Sequence, residues 1–165
     1  MDATNRNILR QYELLRKSTM NREQVQKQLE IDEGVVYEIY RDHLGYPTFG
    51  IGHLIREEDP EYGQTVGTPV DKGRVTEAFQ ADLDIAINEC KVLYDKWDEF
   101  PGEVQEILVN MMFNLGRPRL SKFKNMKKAL DKGDWMLAAV EGEDSLWYRQ
   151  VTNRADRLMT RLENV

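Results

Sequence analysis

Residues 31–53, IDEGVVYEIYRDHLGYPTFGIGH, constrain this chain more than any other stretch. Gly34, Gly45, Gly50 and Gly52 separate short runs of β-branched and aromatic residues. Residues 35–40 read as a strand, residues 42–45 carry turn chemistry, and residues 48–53 read as a second short strand. Gly50 and Gly52 are poor strand formers unless something must pass close to the backbone. Just upstream, Asn21 followed by Gln24 resembles a capping box, opening a helix through Val25 and Leu29 towards Glu33. Gly34 then supplies the stop. A hairpin entered from a helix end therefore places Glu33 at the helix terminus, Asp42 at the turn and Thr48 on the returning strand.

Most of the remaining chain has helical periodicity. Ile8, Tyr12 and Leu15 lie on one face of an N-terminal helix that is either a packing extension or a docking element, with packing the expectation. Residues 56–70 are loop by composition, with two prolines and two glycines. From Asp71, a good N-cap, the series Val75, Phe79, Leu83, Ala86, Cys90 and Leu93 predicts one helix of about 20 residues, or about 30 Å. A helix that long can tie two lobes together. After Pro101 and Gly102, the residues Val104, Ile107, Leu108, Met111 and Leu115 form a strongly apolar helix ending at Gly116. Shorter helical units follow at 122–132 and 134–141, then a polar segment anchored by Trp147, Tyr148, Val151 and Leu158.

Length and charge remove several function classes. At 165 residues the chain suits one domain, possibly of two lobes, with a sizeable core. Its net charge is −6 and its pI near 5.1, which argues against general nucleic-acid binding, because phosphate contacts need clustered Lys and Arg. The densest basic run, residues 122–128, reads as a solvated helix face. The single cysteine, Cys90, forms no intramolecular disulfide and reads as a small core residue, and with only His43 and His53 no metal site is expected. Arg6, Arg10, Glu13, Arg16 and Lys17 interrupt any apolar run at the start, and no segment approaches the ~20 apolar residues that span a membrane. The expectation is a product made in the cytoplasm without a signal peptide or membrane insertion, monomeric and free of cofactors.

Cleaving a glycosidic bond needs a proton for the leaving oxygen and a second carboxylate on the sugar's other face. Glu33, beside apolar Ile31 and Val35, suits the acid, since partial burial raises a carboxyl pKa. Asp42 at a solvated turn suits the ionised partner, and Thr48 can approach it across the hairpin and hold a water. An inverting enzyme keeps its carboxyls ~6.5–9.5 Å apart to admit that water. On spacing alone the structural reading, helix-end and turn carboxylates, is the commoner one.

The same residues resemble the phage-type lysozymes, the family of the T-even phage endolysin, whose pattern is roughly DEG followed by YxDxxGYxTxGxGH. Here it reads Asp32-Glu33-Gly34, then Tyr40, Asp42, Gly45, Tyr46, Thr48, Gly50, Gly52 and His53. Further similarity lies in residues 110–116, 147–150 and 153–157, so the resemblance spans about 22 to 158. It implies a mostly helical α+β, two-lobed fold with a small antiparallel sheet and a long connecting helix. Residues 1–20 would be a helical extension and 21–165 the lysozyme domain, with a sheet-bearing lobe at about 31–70, the long helix at about 72–93 and a helical lobe at about 101–165. It implies a muramidase that cleaves the β-1,4 bond between N-acetylmuramic acid and N-acetylglucosamine in bacterial peptidoglycan, with inversion. Glu33 would protonate the leaving oxygen, Asp42 direct the attacking water and Thr48 help place it. Leu54 and Phe113 match positions lining the saccharide cleft, Arg154 one that orients the glutamate, and His53 one paired with Asp82.

Three features depart from that pattern. Met126 and Glu141 stand where the family carries polar and amide side chains near the saccharide, the 56–70 loop is shorter, and the chain is acidic where the family is commonly basic. The charge would slow encounter with an anionic wall at low salt, and a high-salt habitat is one reading of it. Trp135, Trp147 and Tyr148 read as packing rather than sugar stacking. Such an enzyme would serve as an endolysin, a wall-penetrating virion component or a defence lysozyme, reaching the wall after release or delivery. Two alternatives share the fold: a glycan-binding or scaffold protein, which Glu33, Asp42 and Thr48 disfavour, and a lytic transglycosylase, which needs no water-directing aspartate.

Overall fold

The computed structural model describes residues 2–165, except the side chains of 13–18. The chain divides into two compact units, Glu23–Ile87 and the pair of segments Met1–Arg22 and Asn88–Val165.

In Glu23–Ile87, helix α2 (Arg22–Glu33) starts directly after Asn21 and stops at Gly34, whose φ of 77° few L side chains adopt. Strands β1 (Val36–Arg41), β2 (Pro47–Gly50) and β3 (His53–Leu54) form an antiparallel sheet in that order. The single return strand expected over residues 48–53 is thus two strands with a turn between them. Gly50 and Gly52 have φ of 66° and 64°, so the chain reverses where a β-branched residue would resist. Close approach accounts for Gly50, where a Cβ would lie 3.0 Å from Val75 Cγ1, but not for Gly52, which has open space.

The loop after β3 is less irregular than its composition suggests. Its far end bonds back to β1, Ile39 N–H donating to Thr68 O (2.9 Å), Gly67 N–H to Ile39 O (2.7 Å) and Val70 N–H to Tyr37 O (2.9 Å). Helix α3 (Lys72–Leu93) begins after Asp71, and its 22 residues extend from this unit into the other. Leu29, Ile39, Phe49, Phe79 and Leu83 are fully buried here, following the predicted periodicities.

The other unit is helical among its described residues. Helix α1 (Ala3–Ser18) leads it, and α4 (Gly102–Leu115) forms its centre, buried continuously from Val104 to Met112. Around it lie α5 (Arg117–Leu120), α6 (Lys124–Asp131), α7 (Trp135–Glu143), α8 (Leu146–Gln150) and α9 (Thr152–Glu163). Each fully buried aliphatic side chain contributes roughly 1.5–3 kcal/mol, so α4 is a large contributor to the stability of this unit. Two of its buried polar groups are paired, Gln105 donating to Trp97 O at 2.8 Å and Asn110 accepting from Arg154, while buried Glu106 has Arg161 only at 3.9 Å. Trp147 is buried, packing edge-on against Phe123 and donating to Asn114 Oδ1, so packing is its role. Cys90 is buried too, and burial pushes its thiol up to about 12, which makes it an inert core residue.

Packing does not account for the described part of α1. Every described side chain through Tyr12 is exposed, Tyr12 itself at 65%, so its apolar stripe is uncovered there. The linker after α1 is held differently. A Cβ at Gly102 would lie 2.5 Å from the Thr19 carbonyl oxygen, so only glycine lets that backbone cross the start of α4.

Candidate active site

Asp42 sits at the hairpin tip, and the tip is built around it. Its N–H donates to Tyr46 O (2.9 Å), its carbonyl accepts from Gly45 N–H (2.9 Å), and Gly45 takes φ 85°. This is a three-residue hairpin loop closed by a left-handed glycine. The side chain completes it, since Oδ1 accepts from Leu44 N–H at 2.9 Å and Tyr46 N–H at 2.8 Å. Oδ2 has no hydrogen bond among the described residues. One carboxylate oxygen therefore fixes the turn while the other stays available.

Thr48 is 4% exposed, and its hydroxyl donates to Tyr46 O at 3.0 Å. Across the hairpin it pairs with Tyr40, and Asp42 pairs with Tyr46 two residues further on. Thr48 and Asp42 are linked through the backbone of Tyr46, whose N–H donates to Asp42 Oδ1 and whose carbonyl accepts from the Thr48 hydroxyl. Leu54 lies opposite Thr48 on β3 and is 43% exposed. Directly paired residues share a sheet face and alternate residues return to it, so Leu54, Thr48, Tyr40 and Asp42 lie on one face.

Glu33 is the last residue of α2 and is exposed. The expected burial beside Ile31 and Val35 is absent, since Ile31 is 75% exposed and turns away from any core. Tyr40 lies within electrostatic reach of this helix end and of the hairpin tip. Its phenol is raised above its usual value by burial first, then by the negative charges of Asp42 and Glu33. Both carboxylates thus act on one side chain of the sheet. Tyr40 stood in the sequence motif without a role, and the register places it opposite Thr48.

His53 is the structural residue it was expected to be. Nδ1 lies 2.7 Å from Asp82, as expected, and Nε2 lies 2.9 Å from Asp59. Burial pulls its pKa down, but the hydrogen bonds and charges of the two carboxylates outweigh this, leaving it raised. Arg74 extends the cluster, bonding Glu61 (2.6 Å) and Asp59 (3.1 Å) and lying over the Phe49 ring. These pairs fasten the short loop to α3.

Phe113 and Arg154 belong to the helical unit. Arg154 Nε donates to Asn110 Oδ1 at 2.8 Å and Nη2 to Asn110 O at 3.2 Å, which sets the guanidinium against α4. Half-buried Phe113 is one turn further along the same face, beside Asn114, which holds Trp147. The two asparagines are supports that the sequence reading did not single out. Met126 is only 1% exposed and lies beneath an open depression of about 210 Å³ that Glu141, Asp144 and Ser145 also line. No cluster of His, Cys, Asp and Glu suited to a metal occurs among the described residues.

The phage lysozyme family model matches residues 30–164. The pre-baseplate central spike protein Gp5 of Enterobacteria phage T4 is 33% identical over 77% of this chain, which spans only a quarter (25%) of that protein's length. The probable T4-type lysozyme 2 of Dictyostelium discoideum is 29% identical over 82% of this chain and 91% of its own length. Probable T4-type lysozyme 1 of the same organism is 29% identical over 84% of this chain and 93% of its own. A match that starts at the end of α2, takes in the whole hairpin and continues through α9 makes this chain a member of the phage lysozyme family.

Proposed function

We propose that the chain is a muramidase that hydrolyses the β-1,4 bond between N-acetylmuramic acid and N-acetylglucosamine in peptidoglycan, with inversion. The observation that carries this reading is the divided carboxylate of Asp42, with Oδ1 fixed by two backbone donors and Oδ2 unengaged on the face that holds Thr48. In this reading Oδ2 takes the proton of the attacking water while Thr48 helps place that water. Glu33 protonates the leaving oxygen, as the family resemblance implies. Since Glu33 is exposed, the bound glycan must itself exclude solvent around the acid. Leu54 and Phe113 offer partly exposed apolar surface of the kind that packs on sugar faces.

Two settings are consistent with the relatives. One relative is named a pre-baseplate central spike protein, which suits a virion component, and the others are named lysozymes, which suits a free lytic enzyme. Among the described residues no helix is long and apolar enough to cross a membrane. Digestion of purified peptidoglycan followed by mass spectrometry tests the activity. Ordinary reducing muramic acid ends are expected, and Glu33→Gln should abolish their release with an unchanged or higher melting temperature. 1,6-Anhydro ends would mean transglycosylation, and no release from the parental protein would mean a binding role.

A further inference from the structure

Tyr40 has a hydroxyl that the fold does not use. It is half-buried near the hairpin end of β1, yet its phenol oxygen makes no hydrogen bond among the described residues. A buried or half-buried tyrosine usually finds a partner for its O–H, and a phenylalanine would fill the same place on the strand. Its surroundings are specific. Thr48 is directly opposite on β2, Asp42 follows two residues later on the same face, and Leu54 continues the row on β3. Glu33 and Asp42 both act on the phenol, and neither accepts its hydrogen.

We propose that Tyr40 is a substrate-binding residue whose phenol O–H donates a hydrogen bond to a saccharide oxygen at the bond served by Glu33 and Asp42. This rests on the muramidase reading above. Burial first, and then the two carboxylates, hold the phenol protonated, so the donor persists through the neutral and mildly alkaline range. The row from Leu54 to Tyr40 then presents the sugar with an apolar edge at one end and a hydrogen-bond donor at the other.

The test is Tyr40→Phe, which keeps the ring and removes only the donor. Its kcat/KM on purified peptidoglycan should fall roughly threefold to tenfold, the usual range for one neutral hydrogen bond. The loss should be equal at pH 5 and pH 8, with an unchanged melting temperature. In the Glu33→Gln background, Tyr40→Phe should weaken binding of a tetramer of N-acetylglucosamine by a similar factor. A parental kcat/KM together with unchanged tetramer affinity would overturn the proposal. So would a loss matched by a lower melting temperature, which would make the hydroxyl structural. Glu33→Gln is the control that separates the two readings. If it stays active, the muramidase site is misassigned and this proposal fails with it; if it is inactive while Tyr40→Phe is unimpaired, only the role of Tyr40 falls.

Discussion

At the scale of single residues, the proposed mechanism gives Asp42 two tasks because its two oxygens have separate surroundings. Asp42→Asn keeps a carbonyl oxygen for the Leu44 and Tyr46 N–H groups, so the turn should survive with little change in melting temperature. The amide cannot act as a base, and lysis should fall by roughly 10²–10⁴-fold in a turbidity assay, the usual worth of general acid–base catalysis. Asp42→Ala should lose activity and also stability, since two backbone donors lose their acceptor. Melting curves of the two variants separate the chemical role from the structural one. On type and spacing Glu33, Asp42 and Thr48 were open candidates only, and the family resemblance is what favoured them. The exposure of Glu33 and the facing of Thr48 onto Tyr40 were not legible, because both depend on how α2 ends and on a strand register irregular between Val36 and Tyr40.

At the scale of elements, local chemistry and tertiary demand can be told apart. The three-residue hairpin loop and the Gly34 stop follow from turn and cap chemistry, and α3 and α4 from apolar spacing. The break between β2 and β3 was hidden because Thr48-Phe49-Gly50-Ile51 has strand composition, while the φ of Gly50 decides the turn. For α1 the pattern shows that an apolar face exists but not what covers it. Gly102 had no signal at all beyond its place after a proline, since the Thr19 backbone that needs the space is distant in sequence. Gly102→Ala should destabilise the protein by about 1–3 kcal/mol, the range for overpacking a filled site. Chemical denaturation would show this as a lower midpoint with an unchanged slope. A neutral result would mean that the residue 19–20 linker moves aside.

At the scale of the whole molecule, ionisation should shape stability. Burial pushes the α4 residue Glu106 up to about 7, Arg161 opposing the rise and Glu103 adding to it. Its unfolded value is 4.5, so the unfolded chain ionises first and stability falls as pH climbs from about 4.5 to about 7. His53 acts in the same direction. Its folded pKa is raised, so its contribution is complete below its unfolded value of 6.5 and is lost as pH passes the folded one. Glu61, lowered chiefly by its bond to Arg74, contributes above its usual 4.5 and loses that contribution as pH falls through the folded value. Calorimetry should therefore find the highest melting temperature at mildly acidic pH. Glu106→Gln should raise it by about 2–4 °C at pH 8, equivalent to about 1 kcal/mol in a protein of this size, and change it little at pH 4. The −6 net charge adds a kinetic expectation, that lysis of anionic walls speeds up as salt screens repulsion.

The central claim is that Asp42 directs water to the face opposite the leaving oxygen. Proton NMR of the first products from a short peptidoglycan glycan reads this directly, before the new reducing ends equilibrate. Hydrolysis with inversion requires the α-anomer to appear first from the β-linked substrate. A β-anomer appearing first, or 1,6-anhydro ends in its place, would contradict it.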